Sequence, residues 1–192
     1  MKRKILSVVA IGLLGGPIGA NAAAVQWASG IGGNDHWYEF VSSTATWTDA
    51  RTAALASTNL GVSGYLATIT SAAENAFVYS LLPAAALGGW IGGTDSAVEG
   101  TWRWADGPEA GAAFSYLNWN GGEPNDCCGG EDYATLTRLG GGGKWNDLRN
   151  TDRYYMSGYF VEYQPVPLPA AAWLLLSGLA GLGVLGRRRK AA

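Results

Sequence analysis

Gly121-Gly122-Glu123-Pro124-Asn125-Asp126, followed by Glu131-Asp132 and then Trp145-Asn146-Asp147, is the stretch on which the reading of this chain turns. It places the oxygen-bearing side chains Glu123, Asn125, Asp126, Glu131, Asn146 and Asp147 on a glycine-rich background. Hard oxygen donors with no histidine nearby suit Ca²⁺, which takes roughly 6–8 oxygens at about 2.3–2.6 Å. Softer metals would want imidazole or sulfur, and a Zn²⁺ site at the adjacent Cys127-Cys128 lacks further soft ligands.

Working outward, the sequence before this stretch opens two helices. Thr46-Trp47-Thr48-Asp49 and Ser71-Ala72-Ala73-Glu74 both read as capping boxes. The first helix fades in Ser57-Thr58-Asn59, and Pro83 stops the second. Asp35–Ser43 is aromatic and β-branched enough for a first strand, and Tyr65–Ile69 reads as another. Beyond Gly88 the chain turns to short strands and loops: Gly89–Gly93, Thr101–Trp104, Tyr133–Thr137, Lys144–Trp145 and Tyr155–Tyr163. Two helices followed by many short strands predict an α+β domain. Its loops are too long to be mere connections, so they are functional or need an ion to order them. Trp90, Trp102 and Trp104 are expected in the core, with Trp119 and Trp145 as structural supports of the site and Tyr154 and Tyr155 as packing residues. His36, the single histidine, is expected to be structural.

The ends read as processing segments. Lys2-Arg3-Lys4, an apolar stretch and Ala20-Asn21-Ala22 make residues 1–22 a secretory signal peptide. Residues 165–192 run from Pro165-Val166-Pro167-Leu168-Pro169 through an apolar transmembrane helix, 170–186, to the basic Arg187-Arg188-Arg189-Lys190. A cluster of that sign places the C-terminus in the cytoplasm. Seven of the 13 Lys and Arg lie in these two ends and all 15 acids lie between them, which leaves the intervening domain at −9. Such a domain repels phosphate backbones, so no nucleic acid is expected as a partner.

An ordered series of motifs then resembles C-type lectin domains of the Glu-Pro-Asn / Trp-Asn-Asp type: Trp47-x-Asp49-Ala50-Arg51, Tyr65–Ile69, Glu74-Asn75, Trp90-Ile91-Gly92-Gly93, Gly100–Trp104, Asn118-Trp119, Glu123-Pro124-Asn125, Glu131-Asp132 and Trp145-Asn146-Asp147. The resemblance covers about residues 34–163, the core of a lectin-like domain expected over 23–164. It implies two helices, small antiparallel sheets and a long Ca²⁺-binding loop region. It also implies a principal Ca²⁺ site at Glu123, Asn125, Glu131, Asn146 and Asp147, with a cis Glu123–Pro124 peptide. An auxiliary Ca²⁺ site at Asp95, Glu99 and Asp126, sharing Glu131, follows from the same resemblance. Two vicinal sugar hydroxyls would complete the principal shell and hydrogen-bond to Glu123, Asn125, Glu131 or Asn146. Glu-Pro-Asn implies mannose, fucose or N-acetylglucosamine, where Gln-Pro-Asp goes with galactose. The alternative is a protein-binding or adhesion module that keeps Ca²⁺ only to order its loops. No nucleophile–base–orienter set supports an enzyme.

The C-terminal segment resembles the PEP-CTERM-like sorting signals in their Val-Pro-Leu-Pro-Ala variant. That implies a bacterial source, an exosortase-type processing enzyme as partner, and an exported surface or matrix protein held transiently in the inner membrane. A permanent anchor is the alternative. The chain departs from the lectin pattern in its cysteines: Ala54 and Val161 occupy one pair of half-cystine positions, and Tyr133 and Asn150 approximately the other. Both of its cysteines are instead adjacent. Neighbouring Cα atoms are about 3.8 Å apart, below the usual disulfide range of about 4.4–6.8 Å. Three states stay open for Cys127 and Cys128: a vicinal disulfide, pairing between two copies, or free thiols.

Overall fold

Both helices begin where a hydroxyl can cap them. In a computed structural model that describes residues 23–166, Thr46 Oγ1 accepts from the Asp49 N–H at 3.2 Å and opens α1, Trp47–Ala56. Ser71 Oγ does the same for Glu74 N–H at 3.1 Å and opens α2, Ala72–Ser80. Each cap satisfies an amide that has no partner inside its helix. The expected signal peptide, the apolar helix 170–186 and the basic tail lie outside the described residues. Within 23–166 no helix is long and apolar enough to cross a membrane.

The strands are β1 Val25–Gln26, β2 Trp37–Ser42, β3 Thr58–Asn59, β4 Val62–Leu66, β5 Gly88–Thr94, β6 Arg103–Trp104, β7 Tyr133–Thr137, β8 Lys144–Leu148 and β9 Gly158–Tyr163. They run in the order β1-β2-β9-β5-β7-β8, with β4 also on β9 and β6 on β5. Among the described residues every strand pairing is antiparallel except β5 with β9, where Gly89 faces Gly158 and Trp90 faces Tyr159 in parallel. β9 therefore joins β2, early in the described domain, to the half of the sheet that carries the loops. Gly158 is required there, because a Cβ would lie 2.1 Å from the Val41 carbonyl oxygen.

Trp90, Trp102, Trp104 and Trp145 are buried in two apolar clusters, as the sequence leads one to expect. Ala54 and Val161, the lost half-cystine positions, both lie fully buried in the second cluster, so apolar packing occupies the place of the cross-link. At the other lost pair, Tyr133 packs on Trp47 with ring centroids 4.7 Å apart. Asn150 Oδ1 accepts from the Thr48 N–H at 3.0 Å, adding a second cap to α1. One expectation fails. Tyr154 and Tyr155 are 78% and 63% exposed, not packed, because the 3-10 turn Arg153–Tyr155 carries them outward.

His36 takes a structural role in a polar network built on the buried carboxylate of Glu162. Glu162 Oε1 lies 2.5 Å from His36 Nδ1 and accepts from Tyr38 OH at 3.1 Å. Glu162 Oε2 accepts from Thr68 N–H at 2.9 Å and Thr68 Oγ1 at 3.0 Å. Glu74 joins through Tyr38 OH at 2.7 Å, so the network links β2, the segment after β4, α2 and β9. Burial works to lower the His36 pKa, but the hydrogen bond to Glu162 and the surrounding carboxylate charges outweigh it and leave it raised. Burial above all raises the Glu162 pKa as well, against the opposing pull of His36.

A raised folded-state pKa means the folded chain holds the proton more tightly than the unfolded chain. The stability that His36 contributes is thus fully present below its ordinary value of 6.5 and lost as pH rises through the folded value. The urea midpoint is expected to fall as pH climbs from 6.5 through the folded value, and His36→Gln should flatten the slope. An undiminished slope in the variant would remove His36 as its source. Glu162→Ala, which strands the Thr68 amide and the His36 ring, should cost roughly 3–5 kcal/mol in the same measurement.

Candidate metal and ligand site

The strand that carries Asn146 and Asp147 is gripped from behind. Trp145 Nε1 donates to Asn75 Oδ1 at 2.7 Å, and Asn75 Nδ2 donates to the Gly143 carbonyl at 3.2 Å, tying β8 to α2. On its other side the segment Asn118–Asn120 runs alongside: Trp145 N–H donates to Asn118 O at 2.9 Å, and Asn120 N–H to Trp145 O at 2.8 Å. Lys144 Nζ reaches Asn118 Oδ1 at 2.9 Å. Trp119 packs edge-on against Trp102 and Trp145, with centroids 4.7 and 5.7 Å apart. The loop with Glu123, Asn125 and Asp126 starts immediately after this anchored segment.

Asp147 closes the loop onto the strand. Its Oδ2 accepts from the N–H groups of Asn125 at 3.0 Å and Asp126 at 2.9 Å. Its Oδ1 is buried and has no hydrogen-bond partner. Around it, Asn125 Nδ2 donates to Glu123 Oε2. Asn125 Oδ1 accepts from Cys127 N–H at 2.8 Å, and Asn146 Nδ2 donates to the Asp147 carbonyl at 2.8 Å. The Glu123–Pro124 peptide is cis. Glu131, 8% exposed, and Glu123 both have raised pKa values, first from burial and then from the negative charge of Asp147. Asp147 thus holds the loop of Glu123 and Asn125 to its strand, its charge reaches Glu123 and Glu131, and Asn146 bonds to its backbone carbonyl.

A second acidic group stands beside it. Carboxylate oxygens of Asp95, Glu99 and Asp132 all lie within 4.8 Å of one another. Asp95 Oδ2 accepts from the Gly100 N–H at 2.9 Å, whereas Oδ1 is buried with no partner. Burial, then the charges of Glu99 and Asp132, push Asp95 up to about 6. Asp126, expected here with Glu131 as a shared ligand, is not part of this group. Its Oδ1 instead accepts from the Glu131 N–H at 2.9 Å and shapes the loop. Asp132, which the sequence reading did not assign, stands in its place. Its backbone is the clue, since Asp132 O accepts from Asp95 N–H at 3.2 Å where β5 and β7 pair.

Both groups pass the same physical test for a cation. A buried acceptor left without a partner costs about 1–3 kcal/mol, more when charged, and each group contains one such carboxylate oxygen. The donors are all oxygens, the set that Ca²⁺ takes. In the loop that follows Asp126, Cys127 and Cys128 form a vicinal disulfide with Cα atoms 3.8 Å apart. Arg149 Nη1 donates to the Cys128 carbonyl at 3.3 Å and ties this turn to the end of β8.

The sequence model of the family described as "Lectin C-type domain" matches residues 43–156. Halomucin of Haloquadratum walsbyi is 36% identical over 137 residues, which is 67% of this chain and 1% of that protein. C-type lectin domain family 4 member M of Symphalangus syndactylus is 35% identical over 120 residues, 62% of this chain and 26% of that protein. The chain therefore spans only a small part of these relatives. Among solved structures, C-type lectin CEL-I of Cucumaria echinata superposes with a TM-score of 0.57 at 31% identity, over 67% of this chain and 89% of CEL-I.

Thermal melts with and without chelator should separate the two groups. Ca²⁺ at about 100 times its dissociation constant stabilises a one-site protein by about 2.7 kcal/mol, and Asp147→Asn is expected to erase most of that increment. Asp95→Asn should remove a separate, smaller one. Superimposable melts in Ca²⁺ and EDTA would rule out both.

Proposed function

The chain belongs to the lectin C-type domain family, and from that premise we propose that its described domain binds carbohydrate in a Ca²⁺-dependent way, with the mannose, fucose and N-acetylglucosamine type of preference. Family members of this kind are typically Ca²⁺-dependent carbohydrate-binding domains. The single observation that carries the reading to this chain is the buried, unpartnered Oδ1 of Asp147, whose other oxygen holds the loop of Glu123 and Asn125 to the strand of Asn146 and whose charge reaches Glu131. Those five residues would hold the principal ion, and Asp95, Glu99 and Asp132 a second. When bound, Ca²⁺ supplies a Lewis-acidic centre whose remaining coordination positions take hydroxyl oxygens, because its shell of up to about eight oxygens exceeds what the protein offers.

The chain's own residues do the rest. Carboxylates of Glu123 and Glu131 are acceptors only, and the amides of Asn125 and Asn146 offer N–H donors. A sugar hydroxyl can give its proton to an acid and take one from an amide. Two adjacent hydroxyls are therefore read by a fixed alternation of acceptor and donor. The order acid then amide across Pro124 favours the hydroxyl orientation of mannose, and exchanging the two favours galactose. The acid-to-amide bond between Asn125 and Glu123 holds that alternation before ligand arrives, which lowers the ordering cost of binding.

The ends of the chain support an exported bacterial surface or matrix protein, released from a membrane tether by an exosortase-type enzyme. Its target would be a cell-surface or extracellular polysaccharide, where many weak contacts add up through avidity. The net charge of −9 between the terminal basic clusters makes nucleic acid a poor partner.

Retention on mannose resin in Ca²⁺ with release by EDTA is the expected result. The double variant Glu123→Gln with Asn125→Asp should move retention from mannose to galactose resin. Retention that survives chelator would overturn the reading. Correctly folded protein with no Ca²⁺-dependent signal on any glycan would replace it by a Ca²⁺-ordered protein-binding module.

A further inference from the structure

Beside the proposed sugar site lies a cleft of about 330 Å³, within the roughly 300–1,000 Å³ range of small-molecule pockets. Its lining includes Glu131 and Asn146, so the cleft is continuous with the proposed ligand shell. From there it turns apolar. Leu148 follows along β8, and Leu87, Leu139, Tyr155 and Met156 complete the surface with the Cys127–Cys128 disulfide. Leu87, Leu139 and Tyr155 are 54%, 67% and 63% exposed, a concentration of solvent-facing apolar surface on an acidic domain. The charged residues on its edge cancel each other: Arg149 Nη2 and Nε reach Asp152 Oδ1 and Oδ2 at 3.0 and 3.1 Å. Glu131 apart, the cleft offers nothing to an ionic group.

We propose that this site takes glycans whose coordinated sugar carries an apolar substituent, an alkyl, aryl or acyl group, seated in the cleft against Leu139, Leu148, Tyr155 and the disulfide. The proposal rests on the sugar-binding reading above and deepens it. Continuity selects this occupant over an unrelated apolar partner: Glu131 and Asn146 belong to both surfaces, so a group attached to the sugar reaches the cleft without a separate binding event. Exposed apolar patches of this kind mark interaction sites, and the disulfide presents a wall that Arg149 holds in place. Burial of the substituent adds affinity that a shallow hydroxyl-reading site lacks.

Calorimetric titration of the full chain with methyl α-mannoside and with hexyl α-mannoside tests this. Both should require Ca²⁺. The hexyl glycoside should bind at least about tenfold more tightly, a gain that about two fully buried methylenes supply. The double variant Leu139→Ser with Tyr155→Ser, both surface positions, should bring the ratio of the two affinities close to one. Equal affinities in the unaltered chain, or an unchanged ratio in the variant, would overturn the proposal while leaving the sugar reading intact. Hexyl mannoside binding that persists in EDTA would make the cleft a site for an apolar partner independent of the sugar, and would overturn it too. Absence of Ca²⁺-dependent binding by either glycoside would bring down the sugar reading itself, and this proposal with it.

Discussion

Asp147 sends Oδ2 to two consecutive loop amides, those of Asn125 and Asp126, and leaves Oδ1 buried without a protein partner. Everything at the site depends on that division of one carboxylate. The two amide bonds fix the loop to β8 and so bring Glu123 and Asn125 to the strand that carries Asn146. The free oxygen is a buried acceptor that the protein does not satisfy, and a cation is the partner that would. Fold and ligand set are thus the same interaction seen from two sides. Removing the charge of Asp147 would loosen the loop and weaken the ion's seat together.

That arrangement works only if β8 itself does not move. The chain achieves this without the family's long-range disulfides. Trp145 is bonded through its indole to Asn75 on α2 and through its backbone to Asn118 and Asn120, and it sits among Trp102, Trp104, Phe114 and Trp119. At the lost half-cystine positions, Ala54 and Val161 pack apolar to apolar, and Asn150 substitutes a helix cap for a bond to Tyr133. A disulfide acts chiefly by restricting the unfolded chain, whereas these contacts act in the folded state. Glu162 adds a polar lock between β9, β2 and the segment that follows β4. Cross-linking is moved instead to Cys127–Cys128, where a bond between neighbours closes no long loop and can only shape the turn that holds it.

What the sequence disclosed follows the range of the interactions. The capping boxes at Thr46 and Ser71, the tryptophan core and the Glu-Pro-Asn and Trp-Asn-Asp motifs were legible because each is encoded within a few residues. The parallel pairing of β5 with β9 was not, since it joins segments about seventy residues apart, Gly89 with Gly158, that carry no local mark of direction. Asp132 was missed for the same reason. It stands beside Glu131 in sequence, and only the pairing of β5 with β7 sets its carboxylate by Asp95 and Glu99. Asp126 has the composition of a ligand but spends its carboxylate on the Glu131 amide. Tyr154 and Tyr155 looked like packing residues until a 3-10 turn carried them to the surface.

The acidic charge and the apolar cleft make sense together once the cations are considered. Glu123, Glu131 and Asp95 all have raised pKa values because burial and neighbouring carboxylates oppose their ionisation. A domain that carries this repulsion pays for it in stability until positive charge arrives, so loop order and ion binding become one equilibrium. A ligand seated on an ion and its acidic shell gains directional bonds to hydroxyls but little hydrophobic burial. The cleft along Leu148, Leu139 and Tyr155 supplies the missing kind of surface at the edge of the same shell. Polar recognition then selects the sugar, and apolar contact distinguishes which substituted form of it is held.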